Sequence, residues 1–275
     1  TGVPGRRVRT IAVINRKGGS GKTTTAVNTA AALAEMDLPV LVVDFDPQAS
    51  ASDWLDRRGS DQGLREALTS TGNLERLAAP TDTPGLDIVA ATSWLVTAEK
   101  TMRGDLSVGI SRAIGRLPKR WAFVLVDCPP SVSYLSIGVM MGVRELVIPV
   151  ETHAMALTGA DAVIDELGSV QTLTPQLRTV RLLPCRVNRT RHSRAVIEAM
   201  ETDYPEEVTA VRIRESIKLA EAADARQPIT TYAPESVGSI DYRAFADELF
   251  AAETAVTEPA VSRWRAALTR AASDR

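Results

Sequence analysis

Asn15-Arg16-Lys17-Gly18-Gly19-Ser20-Gly21-Lys22-Thr23-Thr24 is the stretch on which the reading of this chain turns. It follows a β-branched run, Thr10 to Ile14, and precedes a segment of helical spacing, Thr23 to Met36. A glycine-rich turn in that position lets the backbone aim N–H groups at phosphate oxygens, and the following helix adds the positive end of its dipole. Lys22 is then placed to reach the β- and γ-phosphates of a nucleotide, and the Thr23 hydroxyl to ligate magnesium.

Working outward, short apolar runs alternate with helical spacing. Strands are expected at Thr10 to Ile14, Val40 to Val43, Leu86 to Val89, Phe123 to Val126, Leu146 to Val150 and Val180 to Leu183. Helices are expected at Gly63 to Thr69, Leu106 to Leu117, Ser133 to Met141, Leu157 to Leu173, Arg194 to Thr202, Glu215 to Ala225 and Tyr242 to Glu253, with a break at Gln227-Pro228. The alternation implies an α/β fold with a mostly parallel central sheet and helices on both faces, and the glycine-rich turn between the first strand and helix is similar to that of a P-loop NTPase. Ligands bind such sheets at the carboxyl ends of the strands.

Two of those carboxyl ends carry acids. The second strand runs into Val43-Asp44-Phe45-Asp46-Pro47-Gln48, and the proline suggests that the backbone leaves the pleat there, so that both carboxylates can face the phosphate cleft. Asp44 is then expected to hold the water shell of magnesium, and Asp46 to orient the attacking water. The run Phe123-Val124-Leu125-Val126-Asp127-Cys128-Pro129-Pro130 places Asp127 at the sheet edge beside the metal. Any one of these aspartates alone would read as a cap or turn residue; their joint occurrence behind the glycine-rich loop argues for a site.

The strict pattern G-x-x-x-x-G-K-[ST] is not met, because Arg16 stands at its first glycine and Lys17 follows. The string K-G-G-x-G-K-T-T is instead similar to the signature of the deviant Walker A ATPases. With D-F-D-P-Q at 44–48, D-C-P-P at 127–130 and the late segment Ile213 to Ala222, the chain resembles the ParA family over about residues 8 to 254. The stretch from Asp46 to Trp54, and the few residues ahead of the first strand, resemble the shorter members that lack an N-terminal helix-turn-helix. The resemblance implies ATP and Mg2+ as cofactors, with Lys17, Gly18, Gly19, Ser20, Gly21, Lys22, Thr23 and Thr24 around the nucleotide. It also implies an ATP-sandwiched homodimer in which Lys17 crosses to the partner's nucleotide. Further expectations are non-specific DNA binding by that dimer, hydrolysis stimulated by a ParB-like or cargo-adaptor protein, and an adenine contact from Asn188. Ser20 replaces a commoner valine, and Glu151 to Met155 depart from the family pattern; His153 reads as a loop or helix-start residue.

Composition narrows the alternatives. In 275 residues, 44% hydrophobic but only 4% aromatic, aliphatic helices on a buried sheet fit better than an aromatic-layered sandwich. Cys128 and Cys185 lie in apolar runs and read as buried thiols, without the C-x-x-C pairing of a metal-cluster ATPase. With no apolar run of about 18 residues and no secretory leader pattern, a cytoplasmic protein without a membrane partner is expected, and the resemblance implies that it is nucleoid-associated. A net charge of -2 argues against a protein that coats nucleic acid with its whole surface. Yet Arg178, Arg181, Arg186, Arg189, Arg191 and Arg194 occur without one intervening acid, and Arg212, Arg214 and Lys218 follow. Arg189, Arg214 and Lys218 are the expected DNA contacts. Residues 1–254 are read as the ATPase domain and 255–275 as a short tail. Val261, Trp264 and Leu268 on that tail could dock on the body, fray, or meet a membrane surface as in a MinD-like ATPase.

Overall fold

A computed structural model of the chain describes residues 8–131, 133–152, 174 and 177–252. The expected helix Leu157 to Leu173, His153 and the 255–275 tail lie outside the described residues.

Seven strands form one sheet in the order β3-β4-β2-β5-β1-β6-β7. They are β1 (Arg9–Val13), β2 (Val40–Asp44), β3 (Ala79–Pro80), β4 (Leu86–Val89), β5 (Phe123–Asp127), β6 (Glu145–Glu151) and β7 (Thr179–Cys185). All pairings are parallel except that of the two-residue β3 with β4. The six strands read from the sequence are all present. β3 is additional and too short to leave a periodicity.

Each central strand is buried on both faces, and alternate residues serve different cores. Leu41, Val43, Val124 and Val126 join one cluster with Leu106, Ile110, Leu135 and Val139. Val40, Val42, Phe123 and Leu125 join the other, with Val27, Ala31, Tyr242 and Phe245. This period of two explains why the strands read as unbroken apolar runs.

The helices are α1 (Lys22–Ala34), α2 (Ser50–Trp54), α3 (Asp61–Glu66), α4 (Trp94–Met102), α5 (Gly104–Gly115), α6 (Tyr134–Gly142), α7 (Arg191–Asp203), α8 (Ile217–Asp224), α9 (Ile229–Tyr232) and α10 (Val237–Ala252). α1 is alanine-rich, so it lies close on the sheet and buries nearly its whole length. α2 and α4 were not read from the sequence: the first has five residues, and the second follows a short loop after β4. The break at Gln227-Pro228 separates α8 from α9 as expected. α5 and α6 meet backbone to backbone. A Cβ on Gly138 would lie 2.7 Å from Ser107 Cα and 2.8 Å from its carbonyl oxygen, and one on Gly142 3.0 Å from Ile114 Cβ.

Two sheet details place the site. β1 pairs with β6 only through Val147, so Pro149 sits beyond that ladder, and the Asn15 side-chain amide donates to its carbonyl at 2.8 Å. On the outer side of β7, the 207–215 segment runs alongside. Leu182 donates to Glu207 O at 2.8 Å, Thr209 to Leu182 O at 3.0 Å and Ile213 to Pro184 O at 2.8 Å.

Candidate nucleotide site

At the carboxyl ends of these strands a cleft of about 1030 Å³ opens. Gly18 to Thr24, with Asp46, Gln48 and Pro130, form one wall; Arg186, Arg214, Ile217 and Ala220 are on the other. Gly19 and Gly21 hold φ values of 74° and 91°, the left-handed region in which a side chain would strain the loop. A Cβ on Gly18, Gly19 or Gly21 would meet nothing within 4 Å, so the loop surrounds open space of the kind a phosphate chain fills.

The acids converge behind this loop. Thr23 Oγ1 donates to Asp127 Oδ2 at 2.7 Å, while Asp127 Oδ1 and Ser20 Oγ are buried without a hydrogen-bond partner. Asp44 Oδ2 accepts from the Ser52 backbone N–H at 2.9 Å and from its hydroxyl at 2.7 Å, and Oδ1 accepts from Asp46 N–H at 3.0 Å. Of about four acceptor positions on a carboxylate, three on Asp44 are therefore engaged. Asp46 lines the cleft and receives Gln48 N–H at 2.9 Å. The bend expected from Pro47 comes after Phe45, whose N–H still extends the ladder to Asp127 O at 3.0 Å; Asp46 N–H turns to Asp44 Oδ1 instead, and α2 starts soon after.

The electrostatics follow from the crowding. Burial raises Asp127 well above the usual carboxylate range, and the neighbouring Asp44 adds to the rise. Asp44 is pushed up to about 6 by burial, against its bonds from Ser52. Burial lifts Asp46 too, countered by Gln48 N–H and the Lys22 charge. Lys22 is lowered by burial and partly restored by Asp127 and Asp46. Three acids and one cation leave this pocket short of positive charge, a deficit that a divalent cation fits. The free Asp127 oxygen, the Thr23 hydroxyl and the open glycine cradle suit magnesium and a polyphosphate together.

Other expected residues are placed as follows. Lys22 Nζ donates to Lys17 O at 3.1 Å, folding the loop back on itself. Lys17 does not line the cleft; its Nζ donates to Glu151 Oε2 at 2.7 Å. Asn188 also lies off the cleft lining. It sits in the turn before α7, receiving Thr190 N–H and donating to Glu215 Oε2 at 3.2 Å. Residues of α8 and of the segment just before it, Ile213 to Ser216, form the wall opposite the loop with Arg186. Cys128 and Cys185 are free and buried, as read from the sequence, and burial pushes the Cys185 thiol up to about 12.

The basic run divides. Arg181 is buried against Glu145 and Arg186 is bonded to Glu151. Arg212 pairs with Glu201, and Lys218 with Glu221 at 2.6 Å. Arg214 holds Asp241 through Nε and Nη2 and lines the nucleotide cleft. Arg189, Arg191 and Arg194 are exposed together at the start of α7. Sequence could not separate most of these classes, because the acids that hold Arg181, Arg186, Arg212 and Arg214 lie on other elements; only the Lys218–Glu221 pair, three residues apart on α8, has helical spacing.

Ser52 and Glu151 were missed. Ser52 left no signal. Glu151 did, since it ends a strand in an acid as Asp44 and Asp127 do.

Comparison with known proteins bears on the same region. The sequence family described as "AAA domain" matches residues 8–179. The sporulation initiation inhibitor protein Soj of Bacillus subtilis is 32% identical over 247 residues, covering 88% of this chain and 98% of that protein. The chromosome-partitioning ATPase Soj of Thermus thermophilus is 34% identical, covering 89% and 96%. Among solved structures, cobyrinic acid a,c-diamide synthase from Mycobacterium smegmatis with bound ATP analog and magnesium superposes with a TM-score of 0.75 at 29% identity. That superposition covers 89% of this chain and 95% of the other.

Proposed function

The chain belongs to the Soj/ParA family of P-loop ATPases, and from that premise we propose that it binds ATP with Mg2+ in this cleft and pairs with a second copy in that state. The ATP-bound pair would hold DNA without regard to sequence and move or position a plasmid, chromosome or protein cargo. A ParB-like or cargo-adaptor protein would stimulate its hydrolysis. The observation that carries the reading is the buried Thr23–Asp127 pair, with one carboxylate oxygen left free behind an open glycine cradle.

In this reading the backbone N–H groups of Gly18 to Thr24 and the Lys22 ammonium receive the phosphates. Thr23 and Asp127 face the metal, and Asp44 offers its one remaining acceptor position to a metal-bound water. Held by Thr23 and Asp127, the metal would supply positive charge against the phosphate oxygens. Asp46, on the cleft wall, orients the attacking water, an action that favours the transition state over bound ATP. Lys17, held off its own cleft, serves the nucleotide of the second copy. Asn188, in the turn before α7 beyond the cleft lining, contacts the adenine base of the bound nucleotide. Arg189 is the foremost DNA contact; Arg214 and Lys218 belong to the same face but already hold acids.

DNA binding measured with ATP, with ADP and without nucleotide, beside vesicle sedimentation, tests the proposal. Retention of DNA with ATP alone is expected. Nucleotide-independent DNA binding, or ATP-dependent capture by vesicles instead, would refute it. Among the described residues no helix is long and apolar enough to cross a membrane.

A further inference from the structure

Three parallel strands deliver acids to one edge of the sheet: the adjacent β2 and β5 end in Asp44 and Asp127, and β6, across β1 from them, ends in Glu151. The first two belong to the proposed metal side, whereas Glu151 has no part in it. Its side chain is 7% exposed, and each carboxylate oxygen takes a different cation: Oε2 accepts from Lys17 and Oε1 from Arg186. We propose that Glu151 is a positioning residue. It stores Lys17 against its own chain and yields it when a second nucleotide-bearing copy docks, so that breaking this ion pair sets the threshold for ATP-dependent pairing. The inference rests on the proposed role of Lys17 at the second copy's nucleotide.

Three features make the contact releasable. The Lys17 side chain is 42% exposed and is held by a single ionic hydrogen bond at the end of a flexible stem. A polyphosphate, with more charge and more acceptors than one carboxylate, can outcompete Glu151 for it. Departure of Lys17 also leaves no buried charge stranded, because Arg186 remains on the other oxygen; a carboxylate with lysine as its sole partner would resist release far more strongly. Finally, the Lys17 backbone is fixed without help from its side chain. Its N–H donates to Asn15 Oδ1 at 2.9 Å, and its carbonyl accepts from Lys22 Nζ. Asn15 is in turn tied to Pro149, two residues before Glu151 on the same strand. The ammonium can therefore swing while the loop stays in place.

The test is sedimentation velocity of the full chain over a protein titration, with magnesium and a non-hydrolysable ATP analogue. Glu151→Gln keeps the shape and an acceptor but removes the charge. It should lower the dimer Kd roughly ten- to a hundredfold, about three- to tenfold for each of the two partly exposed ionic hydrogen bonds that pairing breaks. Monomer affinity for a fluorescent nucleotide should stay the same, and Glu151→Asp should restore the unmodified Kd. Arg186→Gln leaves Glu151 wholly to Lys17 and should raise the dimer Kd, an opposite shift that misfolding in Glu151→Gln could not imitate. A dimer Kd unchanged or raised in Glu151→Gln, with melting temperature unaltered, overturns the inference. Lys17→Ala separates the two layers. If it pairs normally, the role of Lys17 at the second copy is wrong; if it fails to pair while Glu151→Gln behaves as unmodified protein, only the storage role is wrong.

Discussion

At the scale of single residues, the chain spends its buried charge in two places with opposite purposes. Around Asp127 the charges are left short of partners, as a site awaiting a cation requires. Around Glu145 they are balanced: Arg9 and Arg181 donate at 2.6 and 2.7 Å, and the Arg9 guanidinium also lies 5.0 Å from the Phe123 ring centre. Burial alone would raise the Glu145 carboxyl, but the two arginines outweigh it and hold it below the usual range. Its stabilising contribution is therefore complete above the unfolded-state value and is lost as pH falls through the lower folded one. Glu145→Gln should cost about 3 kcal/mol at pH 7, since two arginines are deprived of the acid they share. The gap from unmodified protein should begin to narrow below the unfolded-state value of about 4.3 and close only once pH has fallen through the lower folded one. Denaturant melts across that pH range would show it. In the cleft, Lys22→Ala should weaken Mg–ATP binding roughly ten- to a hundredfold by calorimetry, the effect of removing one charge-assisted hydrogen bond. Asp46→Ala should bind ATP and pair yet hydrolyse at least about a hundredfold more slowly in a steady-state phosphate-release assay.

At the scale of elements, the packing of α5 on α6 is set by what the glycines lack. Ala has a higher helix propensity than Gly by about 1 kcal/mol, so Gly138→Ala would stabilise an isolated helix. Here the added methyl would run into the Ser107 backbone, which cannot rotate away, and net destabilisation of about 1–3 kcal/mol is expected in thermal melts. The same contrast explains what could be read in advance. Strands β1, β2, β5 and β6 announced themselves because burial on both faces demands nearly unbroken apolar runs; β4 and β7 did so through the apolar residues on either side of Asp87 and Arg181. The P-loop, Asp44 and Asp127 did so because strand ends and glycine turns leave local marks. β3, α2 and α4 are too brief or too mixed to leave a period. Ser52, and the pairing of Arg214 with Asp241, depend on distant segments meeting, which no local pattern encodes. Glu151 lay in between: its position was legible, its two cations were not.

At the scale of the whole molecule, the basic run between Arg178 and Lys218 resolves into arginines that brace the body and a small exposed group at the head of α7. Arg189→Glu with Arg191→Glu should cut DNA affinity in ATP and lessen the salt slope by about one unit for each phosphate no longer neutralised. Lys218→Glu, already facing Glu221, should change either by much less; filter binding at two salt concentrations would separate them. A last consequence comes from the borders of the sheet. β7 has its outer amides taken up by the 207–215 segment, and β3 at the opposite border is two residues long and ends in Pro80, which has no N–H to offer. Neither border is a template on which another chain could crystallise strand by strand. Open-ended growth along either border is thus disfavoured, which leaves the proposed pairing through the nucleotide-bearing face as a contact that could be counted in twos, timed by hydrolysis and undone.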